Sequence, residues 1–343
     1  MTDIEIEFFL DMLSIESTSG SERFFGEWLS EKLRTETNEV TVLEVGDGTV
    51  NIECKWGIPR VWFCTHCDTV PPYISPEKVE NRIYGRGACD AKGQIFSMFM
   101  ACIRLEKSGF NDFGLLILAG EETGSFGAKA YSALQRSNGI VIVGEPTDNA
   151  MVKASKGTHA FEITLHGKSC HSGYPELGCS AIDLFVDFLN KLRNVKWPND
   201  ELLGLTTWNI GELHSRNRQN ILSEKVCFRL YFRTTFQSAP LVKKVLLGLL
   251  PDGSDMIDNG GDTPTQYITF EGFPQTVVAF GSDTPHLHCF SGKILCGPGS
   301  ITVAHTHDEY IEISDIEKAI EQYFSFAKIL LLSNSITTLD NHD

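Results

Sequence analysis

Four short runs dense in β-branched and aromatic residues, VTVLEV, RVWFCTH, LLILAG and IVIVGE, fall within the first 145 residues, with helix-like segments among them. Runs of that length between turn formers read as strands, and strands mixed with helices build a sheet covered on its faces. All are expected to be central strands. Ser21 stands where it could cap an amphipathic helix from residue 22 to about 34. After Gly144 the texture changes: HAFEITLHG and VCFRLYFR alternate as half-exposed strands do, and helices are expected over 181–192 and 241–250. The turn-rich segment PDGSDMIDNGGDTPT then reads as a boundary. TVVAFG and KILCGPG are expected to rejoin the first sheet, and Ser314 to open a last helix with Ile316, Ile320, Tyr323 and Phe324 on its apolar face. The final ten residues, polar and aperiodic, read as a frayed tail. The fold class expected is α/β, a central mixed sheet flanked by helices, with a smaller α+β domain inserted. Residues 1–152 and 257–343 would form the first domain and 153–256 the insertion.

With 343 residues, the chain is longer than one hydrophobic core usually organises, in keeping with two domains. Its formal charge of −16 repels nucleic-acid phosphates and anionic lipid, which excludes both as expected partners. Ten cysteines are scattered without the two C-x-x-C pairs of a structural zinc site, only Cys64 and Cys67 having that spacing, and without the density of a disulfide scaffold, as suits a reducing cytoplasm. MTDIEIEFFLDML carries acids where an export signal needs a basic start, and no apolar stretch approaches the roughly 18 residues of a membrane span. A soluble cytoplasmic protein is expected.

The chemistry-bearing residues sit at the carboxyl ends of expected strands, where open α/β sheets place their crevices. In FCTHCDTV, His66 and Asp68 point the same way on an extended chain, so the carboxylate can orient the imidazole. Asp90 lies among glycines in YGRGACDAKGQ, just before a helix, where its carboxylate could bridge two metals. Glu121 and Glu122 leave a strand side by side, a concentration of charge that cations would offset. Glu145 ends the next strand, and VAHTHDEY adds His305 and His307. Mixed carboxylate and imidazole ligands suit zinc. Asp90, Glu122 and Glu145 with a hydroxide would balance two divalent ions, leaving Glu121 free as a general base.

Together H-C-D, GRGACDAKG, GEETG, GEPT and GPGSITVAHTHDEY resemble the M20 family of zinc aminoacylases, deacetylases and dipeptidases, over nearly the whole chain. The resemblance implies a catalytic domain interrupted by a dimerisation domain, and hence a homodimer. It also implies two Zn2+, with His66, Asp90 and Glu145 on one and Asp90, Glu122 and His305 on the other, Glu121 as base and Asp68 orienting His66. Co2+ or Mn2+ could substitute. The family's ligand stands four residues before a glutamate, so Glu309 selects His305, with His307 as the fallback. GKSCHSGYPELG resembles the segment whose histidine reaches across the dimer to an oxyanion, making His171 the candidate. Asn220 and Arg233 would hold the substrate carboxylate, and Gly297 and Gly299 would offer bare backbone to it.

GPGSITVAH followed by DEY is most similar to the acetylornithine deacetylase branch, which implies a small N-acylated amino-acid substrate of arginine biosynthesis. Acetylcitrulline, succinyl-diaminopimelate and dipeptides are the alternatives within the family, and a non-enzymatic metal-binding protein is the alternative outside it. Each residue alone has a bland reading: Asp68 a loop cap, Glu122 a solvated turn residue, Glu145 a helix-terminal charge. Cys67 and Cys89, beside site residues, are expected to pack rather than react.

Overall fold

The computed structural model describes residues 1–37, 39–46, 48–135 and 138–333, so the tail expected over the last ten lies outside the described residues. Along the chain run α1 (Asp3–Ser14), α2 (Arg23–Leu33), β1 (Glu39–Gly46), β2 (Thr49–Trp56), β3 (Val61–His66), β4 (Glu77–Val79), β5 (Arg82–Tyr84), α3 (Lys92–Lys107), β6 (Phe113–Leu118), α4 (Phe126–Ala133) and β7 (Ile140–Val143). Then come β8 (Met151–Ser155), β9 (Gly157–His166), α5 (Ala181–Arg193), β10 (Thr207–His214), β11 (Lys225–Thr234), α6 (Val242–Leu249) and β12 (Asp255–Gly260). The last are β13 (Thr265–Gln266), β14 (Gln275–Val278), β15 (Gly292–Leu295), β16 (Tyr310–Glu312) and α7 (Ile313–Leu332).

The chain forms two compact units. The first, from Met1–Lys153, Tyr267–Thr276 and the described residues from Ser282 onward, holds a six-stranded sheet ordered β1-β2-β6-β3-β7-β15. Strands β3, β6, β7 and β15 run parallel, while β1 and β2 are antiparallel to their neighbours, so the sheet is mixed. Every residue of β3, β6 and β7 is buried, which is why they read as unbroken apolar runs. Phe63, Ile95, Phe96, Met98, Ile117, Tyr323 and Phe326 belong to one core between sheet and helices. The pattern Ile316, Tyr323, Phe326, Leu330 turns one stripe of α7 into it. A second small sheet, β16-β5-β4, pairs Tyr310 with Tyr84 and Glu312 with Arg82, bringing the end of the chain beside the loop that carries Asp90.

The second unit, Ala154–Gln266 with Val277–Gly281, is an antiparallel sheet ordered β10-β11-β9-β12. Phe161, Leu165, Phe228, Leu230 and Phe232 alternate inward against Phe188 of α5 and Leu246 of α6, and the intervening residues face outward.

Several expectations need correction. VTVLEV is β1, a half-exposed edge strand rather than a central one. Its partner β2 is almost wholly buried, although Asn51, Glu53 and Lys55 interrupt its apolar pattern. TVVAFG contributes to β14, which lies beside β8 and not in the six-stranded sheet, whereas KILCGPG supplies β15 alongside β7. The acidic turn-rich segment contains β12, hydrogen-bonded to β9, so the chain leaves the second unit after Gln266 rather than at 257. Glu22, not Ser21, precedes α2 as its cap residue, and α7 begins at Ile313. Among the described residues no helix is long and apolar enough to cross a membrane.

Candidate metal centre

Three parallel strands end side by side, and the site is built on their carboxyl ends. His66 is the last residue of β3, opposite Leu118 at the end of β6, and the turn after β6 carries Glu121 and Glu122. Glu145 follows β7 by two residues. The Glu121–Glu122 turn is fastened from below by Asp68, whose Oδ1 accepts the Glu121 amide at 3.0 Å and whose Oδ2 accepts the Glu122 amide at 3.2 Å and the Ser19 hydroxyl at 2.7 Å. His66 Nδ1 lies 3.0 Å from the Asp68 carbonyl and 3.3 Å from its Oδ1. Both partners accept, so Nδ1 carries a proton, and Nε2 is the ring nitrogen turned to the site.

Asp90 is held by Glu309, which the sequence reading used only to choose between histidines. Glu309 Oε1 accepts the amides of Gly87, Cys89 and Asp90 at 3.0, 3.1 and 3.1 Å, and its Oε2 pairs with buried Arg86. That clamp irons the glycine-rich loop into one shape and sets the Asp90 carboxylate between two imidazoles. His66 Nε2 lies 3.0 Å from Asp90 Oδ1, and His305 Nε2 lies 3.4 Å from Asp90 Oδ2 and 2.8 Å from Glu122 Oε1. His307 is exposed in the same turn and has no hydrogen bond or ion pair among the described residues. Ligand atoms of His66, Asp90 and Glu122 lie within 4.8 Å of one another.

The electrostatics of this cluster are those of too many acids in too little water. Burial pushes Glu121 and Glu145 well above the ordinary carboxylate range, and neighbouring carboxylates add to it. Burial also opposes charge on Asp90, yet hydrogen bonds from His305 and His66 hold its carboxyl low. Hydrogen bonds to Asp90 and Glu122 lift His305 to about 10. A further carboxylate, Asp283, is buried nearby and pushed up to about 6 by burial, against the lowering effect of the Ser125 hydroxyl beside it. Nothing in SDTPH distinguishes it from an ordinary turn aspartate, so local sequence gave no signal. Among the described residues no Lys or Arg forms an ion pair with Asp90, Glu121, Glu122, Glu145 or Asp283. Oxygen and imidazole donors converging without a Lys or Arg counter-charge fit divalent metal ions.

Gly297 lies against the Glu145 backbone, where a Cβ would come within 2.5 Å of the Glu145 carbonyl, and Gly299 has φ +78° with Cys89 Sγ closing its free side. Both glycines thus let the end of β15 press against neighbouring chain. Cys67 and Cys89 are buried, and burial raises both thiols well above their usual range, which leaves them protonated packing residues.

Within the second unit, His171 and Asn220 lie on adjacent segments: His171 bridges to Ile221, and the Ser172 amide donates to the Asn220 carbonyl at 3.0 Å. His171 Nδ1 accepts the Gly173 amide at 3.1 Å. Arg233 stands near the far end of β11, its guanidinium 5.1 Å from the Tyr231 ring centre. Arg233 lies eight positions along β11 from Lys225, about 26 Å of rise, whereas His171 bridges to Ile221, before the strand begins.

Comparison with known proteins gives a consistent result. The model of peptidase family M20/M25/M40 matches residues 62–329. An M20 domain-containing peptidase of Schizosaccharomyces pombe is 31% identical over 326 residues, covering 91% of this chain and 81% of the relative. A probable carboxypeptidase of Aspergillus terreus is 32% identical, covering 93% and 84%. The fold is shared with a tripeptidase from Staphylococcus aureus (TM-score 0.83, 20% identity, 95% of this chain and 98% of that one) and an M20 metallo-carboxypeptidase from Sulfolobus solfataricus (TM-score 0.75, 17% identity, 96% and 100%). With a family match across most of its length and relatives above 30% identity along nearly all of it, the chain belongs to peptidase family M20/M25/M40.

Proposed function

We propose that the protein is a two-metal amidohydrolase that releases an amino acid with a free carboxylate from the acyl group on its nitrogen. The convergence of ligand atoms of His66, Asp90 and Glu122 within 4.8 Å of one another, beside the half-buried Glu121, is the observation that carries this reading. His66, Asp90 and Glu145 would hold one ion and Asp90, Glu122 and His305 the other, zinc by donor type, with cobalt or manganese as substitutes. When bound, the ions would supply Lewis-acid polarisation of the amide oxygen and would acidify water.

Glu121 takes a proton from the attacking water and delivers it to the nitrogen as the C–O bond forms and the C–N bond breaks. Its raised affinity for protons makes it a competent base and then a competent acid. Asp68 keeps the Glu121 turn in place through its backbone amides.

A carboxypeptidase and an N-acyl amino acid deacylase break the same bond and differ only in the acyl group. The names of the fungal relatives favour a peptidyl group, and the GPGSITVAH…DEY segment favours acetyl, as in N-acetylornithine. His171, Asn220 and Arg233 would contact substrate across a homodimer formed by the inserted unit, which accords with their separation within one copy. Ten free cysteines accord with a cytoplasmic location.

The test is amino-acid release by zinc- and cobalt-loaded protein from N-acetylornithine, N-acetylcitrulline, N-succinyl-diaminopimelate and dipeptides, with Glu121→Gln as control. Preference for one substrate, lost in Glu121→Gln with metal content unchanged, supports the reading and names the acyl group. Full turnover by Glu121→Gln would remove it.

A further inference from the structure

A cavity of about 560 Å³ opens at the hairpin end of β10 and β11, and every residue lining it belongs to the second unit. That volume lies within the range of small-molecule sites, roughly 300–1,000 Å³. Arg216, Arg218 and Lys225 line it. In an acidic chain such cations are normally spoken for: Arg229 bridges Glu162 and Glu212, and Lys243 bridges Asp258. None of the three cavity cations has an ion-pair partner among the described residues.

The wall behind them is organised. Ser223, 1% exposed, shares a 2.6 Å hydrogen bond with Ser215, and Asn217 Nδ2 donates to the Ile221 carbonyl at 2.9 Å. His214 turns Nδ1 to the Glu212 carbonyl at 3.0 Å, which leaves Nε2 for the cavity. The one acid in the lining, Glu224, is engaged by the Ser169 hydroxyl at 3.3 Å.

We propose that this cavity binds a small molecule bearing two anionic oxygens, a dicarboxylate or a phosphate. Two guanidinium forks and an ammonium around one concavity present more donors than a single carboxylate can accept, and three like charges lining one concavity without ion-pair partners repel one another, which a bound anion relieves. No lining residue belongs to the metal centre, although Ile221 of the lining bridges to His171, which the proposed function gives to substrate.

The test is isothermal titration of the metal-loaded full chain with succinate and with inorganic phosphate, repeated after the metal is stripped with EDTA and the EDTA is dialysed away. Expected is saturable binding of at least one anion that survives chelation. It should weaken about tenfold or more in the Arg216→Ala/Arg218→Ala double variant and stay unchanged in Arg229→Ala. Lys225→Gln, made separately, should weaken the same isotherm, which guards against misfolding of the double variant. No saturable binding, binding abolished by EDTA, or binding indifferent to both cavity variants overturns the proposal; which anion binds identifies the chemistry.

Discussion

Asp68 and Glu121 are joined side chain to backbone: one Asp68 oxygen accepts the Glu121 amide at 3.0 Å while the other accepts the next amide along. The proposed base therefore has its main chain, not its carboxylate, tied down, and its carboxylate stays unpaired for chemistry.

Asp68→Ala leaves the Glu121 and Glu122 amides and the Ser19 hydroxyl without their acceptor, about 1–3 kcal/mol for each group left buried, and leaves His66 Nδ1 only the backbone carbonyl of residue 68. Turnover should fall about 10- to 100-fold even where metal is restored. Steady-state kinetics beside metal analysis checks this; unchanged kcat would show that the turn holds itself.

Glu309→Gln keeps an oxygen for the Gly87, Cys89 and Asp90 amides but strands the Arg86 guanidinium, 2% exposed, without its counter-charge. Removing one partner of a buried pair costs about 3–5 kcal/mol. Urea unfolding should show that loss, and metal affinity should drop with it as the Asp90 loop loosens.

Asn51→Ala tests a second anchor of the same turn. The Asn51 amide donates to the Gly127 carbonyl at 2.9 Å and its oxygen accepts the Ala119 amide at 3.0 Å, bracketing residues 119–127. Two buried backbone groups would lose partners, about 1–3 kcal/mol each. Thermal unfolding should reveal the loss, and kcat should fall more than KM rises.

His305 gives the metal-free protein a pH signature. Asp90 and Glu122 lift it to about 10, from an ordinary value of about 6.5. The native state then holds a proton that the unfolded chain releases, so the stabilisation is complete below about 6.5 and is lost as pH rises through about 10. Urea midpoints of EDTA-treated protein should exceed those of EDTA-treated His305→Ala at pH 6 and converge with them above pH 10. A constant gap would mean that His305 does not titrate there.

Legibility in the sequence followed burial. Strands β3, β6 and β7 are buried on both faces, so composition alone marks them, and His66 and Glu145 stand out as polar residues at or just past their ends. Strand β2 is equally buried but hides behind Asn51 and Glu53, whose polar atoms find partners only in the folded chain: Gly127 and Ala119 for one, Tyr131 and Lys55 for the other. Glu309 and Asp283 were not legible as site residues for the same reason. Their roles depend on which backbone or carboxylate faces them across hundreds of positions or a fold of the sheet, and no local spacing encodes that. The start of the fold's last segment was misplaced because β12 is short, acidic and edge-lying, which gives a strand the composition of a turn.

The first unit is assembled from chain stretches on both sides of the second. His305, which sits against Asp90 and Glu122, is separated from Glu122 by 183 positions. A ribosome-bound chain that has delivered every carboxylate of the centre still lacks this imidazole, and the inserted unit must pass before it arrives. If His305 is the ligand proposed, hydrolytic competence would be withheld until synthesis has run past residue 305, and truncated products would be acidic and inert rather than loosely active.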